Sequence, residues 1–456
     1  MIERNVATIT KVLVCFVCIC GASAATQSRH VVATKHSVVA HPAVSSAKSR
    51  IVVDFSVPLL GRGSMTGFTN GIGLKQPPDR VVVPLKPAIW HSGSITDYDR
   101  ATRLGARYEL DLSAGWGLPT QKGAGNGKWP YDDYDAWEAY VRSSAKSTIG
   151  KHVIFDIWPI ADLQSWGGSR AQWFETLRRA SLVLQQVLGS NVVYSAPGIK
   201  RYDPKALADV LDYAIDHKIP VPLVSWSEDG QGLGILNISK DVHDAKSLLN
   251  LPQYKSLHAT QINISTSTCG SVEHDPGDAL ALLATLEGAG VRYATESYRA
   301  AMSTDFNACS APTLNGLLIP GTLDPTPAYW AVRAYADGVG FRVWSVSTNP
   351  QIVSIASARG AVSRMATVAL GYIECERQEA SADIQCDFIG ISALPWMHAH
   401  TKISVSLIRI PDLPNAPLMY PSPIASEILH VVHNRARLDF SGMVPGEVYV
   451  IQITAA

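Results

Sequence analysis

Residues 152 to 168 read HVIFDIWPIADLQSWGG, and this stretch decides how the chain is expected to fold. Val153 to Trp158 is a short apolar, β-branched and aromatic run, broken only by Asp156, which is typical of a strand buried on both faces. Residues 172 to 189 then place apolar side chains at helical spacing and end at Gly189, which indicates the end of a helix. The unit is strand, loop and helix, or half of a βα repeat.

Further units of the same kind lie on both sides of this stretch. Predicted strands cover residues 81–90, 106–112, 191–195, 221–226, 258–264 and 291–296, and predicted helices cover 97–104, 132–148, 203–217, 241–249, 278–286 and 326–337. Strands alternating with helices predict a parallel sheet, and about eight such units predict a closed (β/α)8 barrel, a TIM barrel. A doubly wound sheet is the alternative, but no Gly-rich nucleotide loop opens any of these helices.

The pattern changes after Phe341. From there Pro-rich turns such as Pro411 to Pro423 separate β-branched or alternating runs, which predicts a small β-sandwich with strands at 341–347, 351–356, 402–410, 428–432 and 448–453. The 456 residues are enough for a barrel of roughly 250 residues and a second domain. We expect the barrel to span residues 51–340 and the sandwich residues 341–456.

Composition excludes several classes of function. Hydrophobic residues make up 46% of the chain and charged residues 17%, as in an ordinary globular protein. The 39 basic residues balance the 39 acidic ones, which argues against a nucleic-acid or polyanion binder. No motif predicts a cofactor.

The N-terminus has the pattern of a secretory signal. Arg4 and Lys11 precede the apolar run Val12 to Cys20, and Ala22 to Ala24 supplies small residues for cleavage. We expect residues 1–25 to be a signal peptide and residues 26–50 a flexible linker, in a secreted or periplasmic protein. A membrane anchor is the alternative, but the apolar run is too short to span a bilayer.

Four cysteines remain after this segment: Cys269, Cys309, Cys375 and Cys386. Four cysteines in an oxidising compartment allow three pairings. The short interval between Cys375 and Cys386 favours a local bridge, and Cys269 with Cys309 would follow by elimination. Neither pair has the spacing of a zinc site, so no metal is expected.

The opening stretch also resembles a known family. Its matching residues are Asp156, Ile157, Trp158, Asp162, Trp166 and Gly167. They resemble the D-I-W-N-E-P-D motif that ends the fourth strand in retaining (β/α)8 glycoside hydrolases, most of all glycoside hydrolase family 39, the β-xylosidase and α-L-iduronidase type. Weaker matches over residues 51–345 are Lys86-Pro87, Trp90, Trp116 to Pro119, Trp129 to Tyr131, Ala196-Pro197, Ser225 to Ser227, and Pro327, Tyr329, Trp330 and Tyr335. In that family an N-terminal strand, here residues 51–56, pairs with the sandwich.

The resemblance also indicates where catalysis should occur. A retaining glycosidase needs two carboxyl groups about 5 to 5.5 Å apart. Residues 159 to 161 replace the family's Asn-Glu-Pro, so Ile160 stands where the general acid/base would be. In the segment 261–265, Ile264 stands where the nucleophile would be. An isoleucine can neither ionise nor transfer a proton, so the resemblance predicts a catalytically impaired barrel, a pseudoenzyme.

Other residues near the strand ends are candidates for chemistry or sugar binding. Asp162, Glu228 and Glu296 could form an inverting pair, which works at a separation of about 6.5 to 9.5 Å. The alternative is that Asp162 caps a helix and Glu228 is a solvated loop charge. The predicted saccharide contacts are His91, Trp116, Trp158, Trp166, Trp226 and Asn263, because apolar sugar faces stack on aromatic rings. Trp116 and Trp166 are favoured among them because they lie in predicted loops.

Three functions are consistent with these observations. The first is a saccharide-binding barrel that lacks the retaining mechanism. The second is an active glycoside hydrolase with non-standard carboxylates. The third is a surface or export interaction protein with a vestigial cleft. The fold alone does not choose among them.

Overall fold

The structure, a computed structural model, describes residues 48–69, 72–117, 123–158, 166–259, 261–267, 275–297, 314, 316–358, 363–374, 381–397, 401–413 and 416–456. The expected signal peptide, the expected linker up to residue 47 and the predicted positions Ile160, Asp162, Cys269, Cys309 and Cys375 lie outside these residues. Within them, no helix is long and apolar enough to cross a membrane.

Eight parallel strands close into a barrel, and nine further strands form one sheet. The first strand, β1 (Ser49–Pro58), belongs to that second sheet. The barrel strands are β2 (Gly67–Thr69), β3 (Ile89–Ser92), β4 (Arg107–Asp111), β5 (Val153–Asp156), β6 (Val193–Ile199), β7 (Leu223–Glu228), β8 (Gln261–Ser267) and β9 (Tyr293–Ser297). Each pairs in parallel with the next, and β9 pairs with β2. The predicted TIM barrel is confirmed.

Nine α-helices lie in the described part of the barrel region. They are α1 (Asp79–Val82), α2 (Tyr98–Arg103), α3 (Leu112–Trp116), α4 (Tyr134–Ser147), α5 (Arg170–Leu188), α6 (Pro204–Asp216), α7 (Gly234–Leu249), α8 (Pro276–Ala289) and α9 (Pro327–Asp337). In the stretch 81–90, predicted as one strand, residues 81–85 are the end of α1 and a 3-10 turn, Val83–Leu85, and only Ile89 and Trp90 belong to a strand, β3. Pro78 precedes this helix and Asp79 lies in its first turn, both typical of a helix start.

Helix α5 shows how the sequence sets the βα units. Ser169 Oγ accepts a hydrogen bond from the Gln172 backbone N–H at 3.2 Å, and Gln172 Oε1 accepts one from the Ser169 N–H at 2.8 Å. This capping box satisfies two N–H groups that the first helical turn leaves free. The helix ends at Gly189, whose φ of +85° is costly for residues with a Cβ. Its buried side chains, Trp173 and Leu184 among them, join the main apolar core.

The second sheet forms a β-sandwich, as predicted. Its remaining strands are β10 (Arg342–Ser347), β11 (Ile352–Ala358), β12 (Ala366–Tyr372), β13 (Ala382–Ile389), β14 (Lys402–Ile410), β15 (Pro423–His430), β16 (Arg435–Met443) and β17 (Val448–Ala455). The order is β15-β14-β17-β12-β11-β10-β1-β13-β16. β1 runs antiparallel to β10 and parallel to β13. Side chains from both halves of the sheet share one apolar core, separate from that of the barrel.

The structure describes Cys386 of the expected bridge, but its predicted partner Cys375 lies outside the described residues. Cys386 is a free thiol on β13, fully buried in the core of the sandwich. Although few residues separate the two cysteines, β12 and β13 are not neighbours, because β11, β10 and β1 lie between them in the sheet. The short interval is therefore not that of a hairpin. Burial also raises the pKa of this thiol, which keeps it protonated and unreactive.

Candidate functional site

A cluster of polar side chains occupies the interior of the barrel. It consists of His91 on β3, Glu109 on β4, Asp156 on β5, Ser195 on β6 and Asn263 on β8, each more than nine-tenths buried. Lower in the barrel, Ile89, Ile154 and Leu223 form a separate apolar cluster. Side chains two residues apart on a strand point to the same side, so His91 and Asp156 follow Ile89 and Ile154 on the inner face. The polar cluster thus lies toward the C-terminal ends of the strands, where barrels of this kind carry their sites.

Glu109 is the centre of one half of the cluster. Asn263 Nδ2 donates to both carboxylate oxygens of Glu109, each at 3.0 Å, and Ser195 Oγ donates to Oε1 at 2.7 Å. Because β4 and β8 are not neighbours in the barrel, a contact between them must cross its interior. These contacts satisfy a carboxylate that is otherwise withdrawn from water.

His91 and Asp156 form the other half. Their Nε2 and Oδ2 atoms lie 3.3 Å apart, across the strand that separates β3 from β5. Burial disfavours the charged imidazole, but the hydrogen bond with Asp156 and the charges of Asp111 and Glu109 outweigh it and raise the pKa of His91 to about 9. Burial also raises the pKa of Asp156, against the opposing effect of His91. His91 is therefore protonated at neutral pH.

Three buried polar atoms of the cluster have no hydrogen-bond partner among the residues that the structure describes. They are His91 Nδ1, Asp156 Oδ1 and Asn263 Oδ1. Buried polar atoms are nearly always hydrogen-bonded to protein or to an ordered guest, and leaving one unsatisfied costs about 1 to 3 kcal/mol. One protonated donor and two acceptors are thus available for a ligand or for water.

The structure changes the expected location of Ile264. Asn263 faces the barrel interior, so its neighbours Ile262 and Ile264 face the opposite side of β8. Both isoleucines are fully buried in the apolar core that joins the strands to the surrounding helices. The β8 residue in the polar cluster is an amide, Asn263, and not Ile264. A shift of one residue along a strand reverses the side to which every side chain points.

The candidate substitute acids differ in their surroundings. Glu228, at the end of β7, is partly buried and accepts a hydrogen bond from Trp226 Nε1. Burial raises its pKa to about 7, against the effect of this bond. Glu296, near the end of β9, is buried. By strand alternation from Tyr293, which packs against the interior apolar cluster, Glu296 faces outward.

The four predicted sugar-stacking tryptophans, Trp116, Trp158, Trp166 and Trp226, are all buried. Trp116 Nε1 donates to the Lys128 carbonyl at 2.8 Å, and Trp166 Nε1 donates to the Ser169 carbonyl at 3.2 Å. The expectation that Trp116 and Trp166 are open loop residues is therefore wrong. Because each has both its ring and its N–H occupied by protein, each contributes to packing.

Two aromatic residues in the loop before α4 are more accessible. The rings of Trp129 and Tyr131 are stacked 6.2 Å apart at 9°, and both residues are partly exposed. Trp166 packs beneath both rings, with centroids 5.4 Å from each. A Cβ on Gly168 would lie 2.6 Å from Tyr131, so this glycine permits the close packing. The two rings appear in the sequence as a W-P-Y motif, but only the structure shows which aromatic residues are accessible.

One group of acids has the geometry to hold a cation. Asp275, Glu374 and Asp412 each offer one oxygen, and these oxygens lie within 4.8 Å of one another. The three residues lie before α8, after β12 and after β14, so the group combines an acid of the barrel with two acids of the sandwich. Burial and the two neighbouring acids strongly raise the pKa of Asp275, which keeps it protonated at neutral pH.

Comparison with known proteins agrees with this architecture. No family model matches the chain, and no curated protein matches it significantly. Solved structures do match over almost the whole chain. N2152 from Neocallimastix frontalis is 16% identical with a TM-score of 0.70, over 90% of this chain and 100% of that one. A glucosidase from Croceicoccus marinus is 12% identical with a TM-score of 0.64, over 90% of this chain and 100% of that one. The chain has the fold of glycoside hydrolases.

The family named by the sequence resemblance is also among the matches. The GH39 enzyme from Xanthomonas axonopodis pv. citri is 12% identical with a TM-score of 0.61, over 91% of this chain and 100% of that one. At these identities the similarity establishes the glycoside-hydrolase fold, a barrel with an accessory sandwich. Activity has to be argued from the site itself.

Proposed function

We propose that this protein binds a saccharide at the C-terminal mouth of its barrel and does not hydrolyse it by the retaining two-carboxylate mechanism. The observation that carries the proposal is a set of three buried atoms that have no partner within the described part of the chain: His91 Nδ1, Asp156 Oδ1 and Asn263 Oδ1. A saccharide hydroxyl both donates and accepts a hydrogen bond, so it suits a site that offers both kinds of group. The partly exposed rings of Trp129 and Tyr131 offer apolar surface for a sugar face.

The same cluster argues against retaining hydrolysis. That reaction needs a carboxylate that attacks the anomeric carbon, opposite a second carboxyl group that protonates the leaving oxygen. Strand β8, on which the resembling family carries its nucleophile, reads QINISTS and contains no acid. Its inward residue Asn263 is an amide, which is a poor nucleophile. The nearest carboxylate, Glu109, has both oxygens engaged by that amide.

An inverting hydrolase is the second candidate function, and Glu228 favours it. A carboxyl group with a pKa of about 7 exists in both protonation states at neutral pH, as a general acid requires. It lies at the C-terminal end of β7, where a barrel enzyme places such groups. By strand alternation from the interior residue Leu223, Glu228 faces the same side of the barrel wall as Glu296. The base would be Glu296, which lies in the same row as Glu228 with Thr266 of β8 between them.

The proposal includes a secreted or periplasmic location. It rests on the signal-like N-terminal sequence, and it fits a protein that meets polysaccharide outside the cytoplasm. No cofactor or metal is required for saccharide binding.

A glycan array followed by calorimetry on the hits tests these proposals. We expect saccharide binding without product release, and binding about 10 to 100 times weaker in Asp156→Asn, because one hydrogen bond to a charged group is lost. Asp216→Asn, which changes an exposed acid at the end of α6, is the matched control and should bind normally.

Turnover separates the remaining possibilities. Release of reducing sugar or aryl glycoside product that Glu228→Gln abolishes would replace the binding function with the inverting hydrolase. If no glycan binds the folded protein, both proposals fail, and the interaction-protein hypothesis remains.

A further inference from the structure

A cavity of about 210 Å³ lies between helix α9 and the second sheet. Strands β11, β12, β14 and β17 form its floor, and α9 forms the wall above them. The segment 418–421 closes one side. The backbone N–H of Leu418 donates to the Pro325 carbonyl at 2.7 Å, and the Leu418 carbonyl accepts a hydrogen bond from Trp330 Nε1 on α9. The residues that line the cavity include none of the polar cluster, so it is a second candidate site.

The floor of this cavity has an apolar half and a polar half. One row across the paired strands is apolar and consists of Ile355, Ala369, Val450 and Ile408. The next row lies two residues away along each strand, and therefore on the same face of the sheet. It is polar and consists of Ser357, Thr367 and Gln452. Because both rows line the cavity, a ligand on this floor meets apolar side chains at one end and polar ones at the other.

Small side chains on opposite walls leave the space open. Ala369 is the shortest residue of the apolar row, and Ala334 lies on α9. Protein interiors leave few voids of this size, because the side chains around an empty void lose dispersion contacts. An apolar cavity of about 150 Å³ holds one benzene molecule. The cavity here is larger, so it accommodates a single six-membered ring with a substituent.

The polar half offers one group that the protein does not use. The hydroxyl oxygens of Ser357 and Thr367 lie 2.6 Å apart and bond to each other. The side-chain amide of Gln452 makes no hydrogen bond with the residues that the structure describes. An amide can both donate and accept, so it suits a ligand hydroxyl.

The charges around the cavity are balanced. Arg333 Nε lies 3.3 Å from both carboxylate oxygens of Asp337, and Arg342 Nε lies 3.0 Å from a carboxylate oxygen of Glu287. Each guanidinium of the lining therefore has a carboxylate partner. A charged ligand would lose its water without finding an opposite charge left to pair with, which is costly. The lining favours an uncharged ligand.

We propose that this cavity binds a small uncharged phenol with a single ring. The ring would lie on the apolar row beside Trp330 and Tyr420, whose ring centroids are 5.7 Å apart, and the hydroxyl would bond to the Gln452 amide. A monosaccharide fits less well, because its hydroxyls above Ile355 and Val450 would be desolvated without a partner. The proposal is independent of the saccharide site at the barrel mouth.

Two probes that differ by one hydroxyl test the proposal on the full-length protein. Toluene supplies the ring alone, and 4-methylphenol adds the hydroxyl. We expect ligand-observed NMR titrations to give 4-methylphenol a dissociation constant on the order of 0.1 to 1 mM, as suits about eight heavy atoms. Toluene should bind about 2 to 10 times more weakly, because one neutral hydrogen bond is missing. Benzoate and benzylamine, the charged analogues, should bind at least about tenfold more weakly than 4-methylphenol.

Two variants assign the binding to this cavity. Ala334→Phe places a ring in the space, so both probes should bind at least about tenfold more weakly. Gln452→Leu should abolish the preference for 4-methylphenol over toluene. Gln253→Leu, at an exposed glutamine of the 3-10 turn Pro252–Leu257, is the matched control and should preserve that preference.

Three results would overturn the proposal: neither probe binds the folded wild-type protein at about 10 mM, benzoate binds as tightly as 4-methylphenol, or Gln452→Leu keeps the wild-type preference. A folded Ala334→Phe variant that binds both probes as the wild type does would overturn it as well. Circular dichroism first establishes that each variant is folded. If Ala334→Phe does not fold, the comparison of Gln452→Leu with Gln253→Leu still decides the question.

Discussion

Replacing Asn263 by alanine should destabilise the barrel measurably. The side chain donates from one nitrogen to both oxygens of Glu109 at 3.0 Å, which counts as between one and two hydrogen bonds to a charged group. Such bonds contribute about 1.5 to 3 kcal/mol each to the free energy of unfolding. Removing the buried amide itself offsets roughly 1 kcal/mol of the loss, because that polar group no longer has to be desolvated. We therefore expect Asn263→Ala to lower the free energy of unfolding by about 3 kcal/mol, as measured by urea denaturation at pH 7.

Aspartate at the same position gives a second, pH-dependent signature. Asn263→Asp places a carboxyl group within hydrogen-bonding distance of Glu109, and two buried carboxylates at that distance cannot both ionise. One of them must keep a proton when the protein folds, so the folded state binds more protons than the unfolded state. We expect this variant to be destabilised at pH 7 and to regain stability as the pH falls toward 4, whereas Asn263→Ala should not.

Gln261→Ala is the control, because it alters an exposed side chain on the same strand. It should change stability by no more than about 0.5 kcal/mol. If Asn263→Ala behaves like this control, or if Asn263→Asp shows no additional pH dependence, then Asn263 does not hold Glu109 in the way described.

Three further predictions concern stability. Asp275→Asn should stabilise the protein at pH 7 by about 1 to 3 kcal/mol, since the wild-type acid must take up a proton beside Glu374 and Asp412 when the protein folds. Thermal melts check this, and a lower melting temperature of the variant would contradict it. His91, with a pKa raised from 6.5 to about 9, contributes stability that is complete below pH 6.5 and lost as the pH rises through 9. His91→Gln should remove this pH-dependent loss of the free energy of unfolding, as measured by denaturation curves between pH 6 and 10. An unchanged loss in the variant would contradict the prediction. Trp166→Ala should lower the free energy of unfolding by about 3 to 5 kcal/mol in chemical denaturation, because removal of the buried ring leaves a cavity. A fully stable variant that only loses sugar binding would show that the ring is open to ligand.

The barrel was predictable because its signal is repeated. Most of the predicted strands and helices recur within a few residues of their observed bounds, since each buried strand reads as an apolar run and each helix as a periodic one. The strand predicted over 81–90 is wrong at its start because the apolar residues there fit either a strand or a helix, and Pro78 and Asp79 favour a helix start. β12, β13 and β16 were not predicted at all. Their places in the sheet depend on partners far away in the sequence.

The site was less predictable than the fold. Sequence resemblance located β8 but not the side to which each of its residues points, and a difference of one position separates Ile264 from Asn263. Glu109 went unnoticed because nothing local distinguishes it: its partners Ser195 and Asn263 are 86 and 154 residues away. Trp116 and Trp166 were predicted to lie in loops, whereas Trp116 is the last residue of α3. The burial of both rings depends on neighbours that only the folded chain supplies.

The position of β1 constrains how this protein can be divided. The strand lies between β10 and β13, so it connects the pair β13 and β16 to the other six strands of the sheet. A fragment starting at residue 341 would lack this interior strand and would leave the edges of β10 and β13 unpaired. During synthesis, β1 has no strand to pair with until β10 and then β13 have been made. Engineers who want the sandwich by itself would have to transplant residues 49–58 onto that fragment, for instance by circular permutation.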